Sequence, residues 1–279
     1  MKMKNSNFGS YAVPPTLQKL IRLKEEWGGH DPFYTGLNFY LELSSFRYFN
    51  TPCDVVVFGN NGGDGIHYGF LTDFGTVDHL EHAPVVCVSP MDFDRPTKII
   101  ANDIKEFLSL LLTDEELFYN VFATEEDYRA AKQRWKEEAA VSPYGPTEEE
   151  QQQREDIRRT LRERVSLPHV ENPYRHLELL ARQRQERIAA GTQDLLGVVS
   201  SLAEDEVHVP YYVHKDERLD IEELKVYMVS APAISKKALI RDIQMNFILR
   251  DEDELCKIVI QALTSLDLID EVKRIAEGE

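Results

Sequence analysis

Cysteine is scarce in this 279-residue sequence: Cys53, Cys87 and Cys256 stand far apart, with no CxxC pair. That scarcity excludes a disulfide framework and a thiolate zinc site, and leaves three thiols in a reducing compartment. Long apolar runs are missing too. No uncharged run reaches the ~18 residues of a membrane span, which argues against a membrane protein. The opening MKMKNSNFGSYAVPP has neither the apolar stretch nor the small-residue cleavage site of a secretory signal, so the cytoplasm is the expected location. Positive charge is in deficit, with 32 Lys and Arg against 49 Asp and Glu and a formal net charge of −17. A phosphate-tracking basic face is therefore not expected, nucleic acid is not an expected partner, and a basic protein is.

Several catalytic strings are also absent. The glycines of FGNNGGDGIHYGF (58–70) follow an apolar strand, yet no GK[ST] follows and the next segment reads as a strand rather than a phosphate-binding helix. Asp73-Phe74-Gly75 has no HRD or VAIK companion, and there is no GxSxG elbow or HExxH helix. His79, Glu81 and His82 form a compact group in a turn with no helical face to hold two imidazoles, so no metal site is expected. Asp92 and Asp94 in SPMDFDRP make a DxD whose simplest role is turn geometry. No cofactor and no catalytic residue are expected.

What is present falls into three stretches, which define the expected division of the chain. Residues 1–112 (net −4) are apolar, aromatic and Gly-rich, 113–192 (net −4) are charged, and 193–279 (net −9) hold more than half of the excess negative charge. In the first stretch CDVVVFG (53–59), IHYGFLT (66–72), PVVCVS (84–89) and GLNFYLEL (36–43) read as strands bounded by turns. Asp64-Gly65 between two apolar runs reads as a tight hairpin turn. Helices are expected over 14–27 and 102–112. The strands are hairpin-linked, so the fold class is α+β with an antiparallel sheet flanked by helices.

The second stretch holds strong helix formers with few apolar anchors, and reads as a solvated helical segment or spacer broken at Pro143, Gly145 and Pro146. Thr124 with Asp127 and Thr147 with Glu150 are N-terminal capping signals. These helices lack sustained heptads, which weighs against an oligomerising coiled coil. The third stretch reads as a strand-like EVHVPYYVH (206–214) followed by a mostly helical acidic module, its last helix running continuously from about 251 to 277.

The order of pieces over residues 14–112 resembles the SUKH superfamily, shared by the fungal Smi/Knr-like cell-wall-assembly regulators and many bacterial immunity proteins. The resemblance rests on the strand ending in Phe58-Gly59, the Gly-Gly-Asp-Gly turn, the Tyr68-Gly69-Phe70 strand and Glu106-Phe107-Leu108 of the closing helix. It implies a non-enzymatic binding module, an immunity protein that neutralises a cognate toxin of a polymorphic or contact-dependent system by holding it in a complex. A regulatory interaction hub linked to cell-wall assembly is the alternative. The acidic balance suits a basic toxin domain as partner. On that reading the contact residues are Asp64, Asp73, Asp78, Asp92 and Asp94 as charged elements, with Tyr68 and Phe93 as aromatic anchors. A small-molecule sensor or enzyme built on the Gly-Asp-Gly turn requires His67, His79 and His82 to converge with Asp92.

Overall fold

The computed structural model describes residues 6–44, 46–142, 145–199, 207–214, 219–249 and 252–277. A five-stranded antiparallel meander lies at its centre, in the order β1 (Tyr40–Leu41), β2 (Val55–Asn60), β3 (His67–Leu71), β4 (Val85–Val88) and β5 (Thr97–Ala101). Helices surround it, and the fold is α+β. Strands β2 to β4 form where β-branched and aromatic residues run together between turns, and every residue of β3 and β4 is buried. Asp64 (φ 49°) and Gly65 (φ 70°) are the central residues of the β2–β3 turn, which the Ile66 N–H closes by donating to the Gly63 carbonyl at 2.9 Å. Both central residues are left-handed, as a type I′ hairpin requires.

On one face, Val56, Phe58, Tyr68, Phe70 and Cys87 pack with α1 (Pro15–Glu26) and α3 (Ile104–Leu111). Phe107 of α3 is the hub: its ring centroid lies 5.1 Å from Tyr68, 5.3 Å from Phe58, 5.6 Å from Phe118 and 5.8 Å from Phe39. On the opposite face Val55, Val57, Leu71, Val86 and Val88 meet Leu196.

Four readings of the sequence are corrected. GLNFYLEL is mostly not a strand: α2 (His30–Leu37) ends inside it, Asn38 takes a left-handed cap, and only Tyr40–Leu41 pair with the sheet. The strand-like 206–214 is irregular over 207–214, because Pro210 removes a ladder donor; Glu206 lies outside the described residues. The C-terminal helix is two, α10 (Asp253–Ser265) and α11 (Ile269–Glu277), divided where Asp267 adopts φ 58°; Asp251 lies outside the described residues. Strand β5 was concealed by its short, mixed TKIIA.

Beyond the single turn α4 (Glu116–Tyr119), the charged helices α5 (Glu125–Val141) and α6 (Glu148–Arg164) begin at the expected caps Thr124 and Thr147, the second with a full capping box through Glu150, and α7 (Pro173–Arg187) begins at Asn172. They are docked against the body rather than free of it. Ile157 and Leu161 of α6 and Leu177 and Leu180 of α7 join the main core. Gly36 permits the closest approach, since a Cβ there would lie 2.3 Å from Ile157 Cγ2, and Arg158 Nε donates to the Gly36 carbonyl at 3.0 Å. Pro143 lies outside the described residues.

The last third forms a second core from α8 (Ile221–Ser230), α9 (Ala233–Met245), α10 and α11, joined by Cys53 and Phe74 from the sheet region. Between α7 and α8, β6 (Ile188–Ala190) pairs with β7 (Val198–Val199). The changes of composition near 112 and 192 are therefore crossed by packing on both sides.

Three buried arginines make the crossings. Arg241 of α9 grips Asp54 through Nε at 3.3 Å and Nη2 at 2.5 Å, with both side chains fully buried. Arg184 of α7 grips Asp73 through two bonds of 2.7 and 2.6 Å. Both guanidiniums also donate to the Gly197 carbonyl. Arg274 of α11 donates to the carbonyls of Asn7 and Cys53, each at 3.0 Å.

Candidate functional site

The strand register sorts the sequence-predicted contact residues. Because His67 pairs with Val88, the β2–β3 turn and the β4–β5 loop share one end of the sheet, and the 72–84 connection lies at the other. Asp64, Asp92, Phe93 and Asp94 therefore come together at one end, while Asp73 and Asp78 sit at the opposite end. Asp64, Asp78 and Asp94 are exposed and Asp92 is half-buried.

Two of the seven are corrected as contact residues. Tyr68 is fully buried within the aromatic core, so its ring is unable to anchor a partner. Asp73 is buried and saturated by Arg184. Its position after an apolar strand, in a tripeptide of turn type, gave no local sign of a partner 111 residues away.

The same register keeps the histidines apart. His67 lies at the loop end, whereas His79 precedes and His82 ends the short 3-10 turn at the other. His67 is also committed at both ring nitrogens, to the Gly65 carbonyl at 2.8 Å and Thr51 Oγ1 at 3.0 Å. Burial pushes its pKa down to about 4, so the neutral imidazole is the folded form. Among the described residues no group of three His, Cys, Asp or Glu side chains is placed to hold a metal ion, and no helix is long and apolar enough to cross a membrane.

The β4–β5 loop is held rigidly. Asp92 Oδ1 accepts from the N–H groups of Asp94 at 3.3 Å and Arg95 at 3.1 Å, which is the turn role expected for it. The buried Asn50 amide donates to the Pro90 carbonyl at 3.1 Å. This frame leaves Met91 66% and Phe93 59% exposed between acidic neighbours. Phe93 touches the Phe247 ring at 5.9 Å but is not covered by it.

Beside the loop a cleft of about 370 Å³ opens along the edge strand β5. Its walls come from three separate stretches: Asp92, Thr97, Lys98 and Ile99; the 117–123 segment that follows α3; and α7 with Leu195 and Leu196. Exposed Val121 and Leu195 stand at its rim. Cys87 reaches the cleft as a thiol, since burial pushes its pKa up to about 12. Sequence reasoning missed this site because no one stretch carries it; the buried-strand lysine in TKIIA is its only local mark.

A second cavity, also about 370 Å³, lies between residues 191–193, the 208–212 segment and α9, with Asp242 in its wall. Burial pushes Asp242 up to about 7, although it accepts from the Gln193 N–H at 2.7 Å. An acid whose pKa is raised on folding stabilises the folded state fully below its unfolded value, and that contribution is lost as pH rises through about 7. His67 acts in reverse: its depressed pKa withdraws stability as pH falls from 6.5 towards 4. Asp242→Asn is therefore expected to raise the urea midpoint at about pH 8 and to flatten the decline between about pH 5 and 8. A variant less stable than wild type at the alkaline end contradicts this account.

No protein-family model matches the chain, and no curated protein matches it in sequence.

Proposed function

We propose that the protein is a non-enzymatic protein-binding module, an immunity protein of SUKH type that holds a basic toxin domain in an inactive complex. The observation that carries the reading is the rigid β4–β5 loop, which presents Met91 and Phe93 to solvent beside Asp92, Asp94 and the nearby Asp64 turn. Large apolar side chains held out by a fixed backbone lose little conformational freedom when a partner covers them. The carboxylates around them favour a basic surface and speed encounter at low salt. Asp64, Asp92, Asp94 and Phe93 remain the proposed contacts, joined by Met91; Asp78 faces a different partner surface, if any, from the far end of the sheet.

The test is capture from the native host lysate at low and moderate salt, with the tagged full chain beside a Met91→Ser/Phe93→Ser double variant. One basic protein is expected at equal stoichiometry on the wild type. In a purified titration the double variant is expected to bind it about 100-fold more weakly or worse, as loss of two anchor residues implies. Retention of no specific protein, or equal retention by the variant, sinks the proposal.

A further inference from the structure

The second cavity, between residues 191–193, the 208–212 segment and α9, meets one stripe of that helix: Ser235, Ala238, Leu239 and Asp242 stand at helical spacing and all line it. Asp242 is 8% exposed. Its Oδ1 accepts from the Gln193 N–H at 2.7 Å, and its Oδ2 has no hydrogen bond or ion pair among the described residues. Its polar neighbours in the wall are committed. Ser235 Oγ accepts from the Val209 N–H at 2.8 Å and lies 3.2 Å from His208 Nδ1. Gln193 Nε2 donates to the Val213 carbonyl at 2.9 Å, and Thr192 Oγ1 donates to Asp194.

The buried charges behind the cavity do not balance. Asp54, Asp73, Asp194 and Asp242 are four buried carboxylates, and two of them take up the guanidiniums at hand, Asp54 that of Arg241 and Asp73 that of Arg184. Arg274 is paired with Glu271, and Lys236 of α9 donates to the Val229 carbonyl. Asp194 and Asp242 are left without an ion pair among the described residues. Asp194 is sealed and lines no part of the cavity, so Asp242 is the acid a ligand reaches. Burial, and after it the charge of Asp194, push the Asp242 carboxyl up, and its ionised form costs free energy until a cation meets it. Burial lowers the pKa of His208, which therefore supplies no cation at neutral pH. One open carboxylate oxygen is too few for a metal ion that collects about six oxygens. The rest of the wall is apolar or aromatic, from Pro210, Tyr211, Tyr212, Ala238 and Leu239.

We infer that this cavity is a binding site for a small primary amine with an apolar or aromatic body, its ammonium received by Asp242 Oδ2 and its body lying against Pro210, Tyr211, Ala238 and Leu239. The volume of about 370 Å³ matches a ligand site of ordinary size. The inference does not depend on the partner reading, since neither Met91 nor Phe93 is needed for it.

Calorimetric titration of the full chain with phenethylamine beside phenethyl alcohol tests it, at about pH 8, where the carboxylate is ionised, and in about 0.15 M salt, which screens the acidic surface. One site per chain is expected, filled about tenfold or more tightly by the amine, because only the ammonium brings charge to the buried carboxylate. Asp242→Asn keeps an oxygen for the Gln193 N–H and is expected to abolish that preference while leaving the alcohol affinity unchanged. Its urea midpoint at about pH 8 is expected above wild type, so a loss of amine binding is not a loss of folding. Methylamine, which has the charge without the body, is expected to bind at least about tenfold more weakly than phenethylamine. If Asp242 serves only to hold the Gln193 N–H, the amine shows no preference over the alcohol. No binding of either compound, equal affinity for the two, an amine preference that survives Asp242→Asn, or methylamine binding as tightly as phenethylamine each overturns the assignment.

Discussion

Arg241→Met is expected to lower the stability of the protein by about 3–5 kcal/mol, the usual result of removing one partner from a buried ion pair. The loss exceeds that of a surface pair because Asp54 is left buried with its charge, and its two contacts to Arg241 are gone. The Gly197 carbonyl loses one of two donors, and Phe74 loses the guanidinium that lies 5.2 Å from its ring centroid. Urea unfolding followed by tryptophan fluorescence measures the change. Asp54→Asn combined with Arg241→Met is expected to cost less than the two single changes added, with a coupling of about 1 kcal/mol or more. A single-variant loss under about 1 kcal/mol would falsify the claim that this pair holds the last third to the sheet.

Phe107→Ala is expected to cost about 3–5 kcal/mol, as for other large core aromatics. Phe107 is fully buried and its ring meets four other aromatic rings: Phe58 and Tyr68 of the sheet, Phe39 just before β1 and Phe118 beyond α3. No neighbouring side chain is able to fill the space without leaving its own contacts. Tyr68→Phe supplies the contrast. The Tyr68 hydroxyl is buried with no hydrogen-bond partner among the described residues, so its removal is expected to change stability by less than about 1 kcal/mol or to raise it. Thermal unfolding of both variants checks the pair of statements together. A large loss from Tyr68→Phe would show that the hydroxyl has a partner in solution.

The contrast between what was legible and what was not follows the range of the interactions. Strands β2 to β4, the Asp64-Gly65 turn and the caps at Thr124 and Thr147 are local matters, set by residues within a few positions of one another. Helix α2 was misread because HDPFYTGL is short and its apolar residues run straight on into those of β1. The docking of α6 and α7 was invisible for a different reason. Four apolar side chains, with guanidinium bonds from Arg154 to the Thr35 carbonyl, from Arg158 to the Gly36 carbonyl and from Arg184 to Asp73, seat them, and a count of charges along those helices conceals so narrow a stripe.

The candidate site was legible in half. Asp92, Phe93 and Asp94 are neighbours in sequence, and turn chemistry placed them on an exposed loop. The burial of Asp73 and Tyr68 was not readable, since an aspartate after a strand serves equally as a turn residue or as the anchor of a distant arginine. The cleft needs 117–123, α7 and 195–196 brought to β5, and no spacing along the chain announces that meeting.

The separation between Asp54 and Arg241, 187 residues, also has a meaning in time. At about 5–20 residues per second of synthesis, Asp54 is made roughly 10–40 s before its counter-ion. Throughout that interval the nascent sheet carries an uncompensated acid beside Val55 and Val57, on the face that Leu196 will later cover. Such an intermediate offers apolar surface to any chaperone or protease nearby. A chain terminated before Arg241 is therefore expected to be cleared from the cell rather than to persist as a shorter working protein.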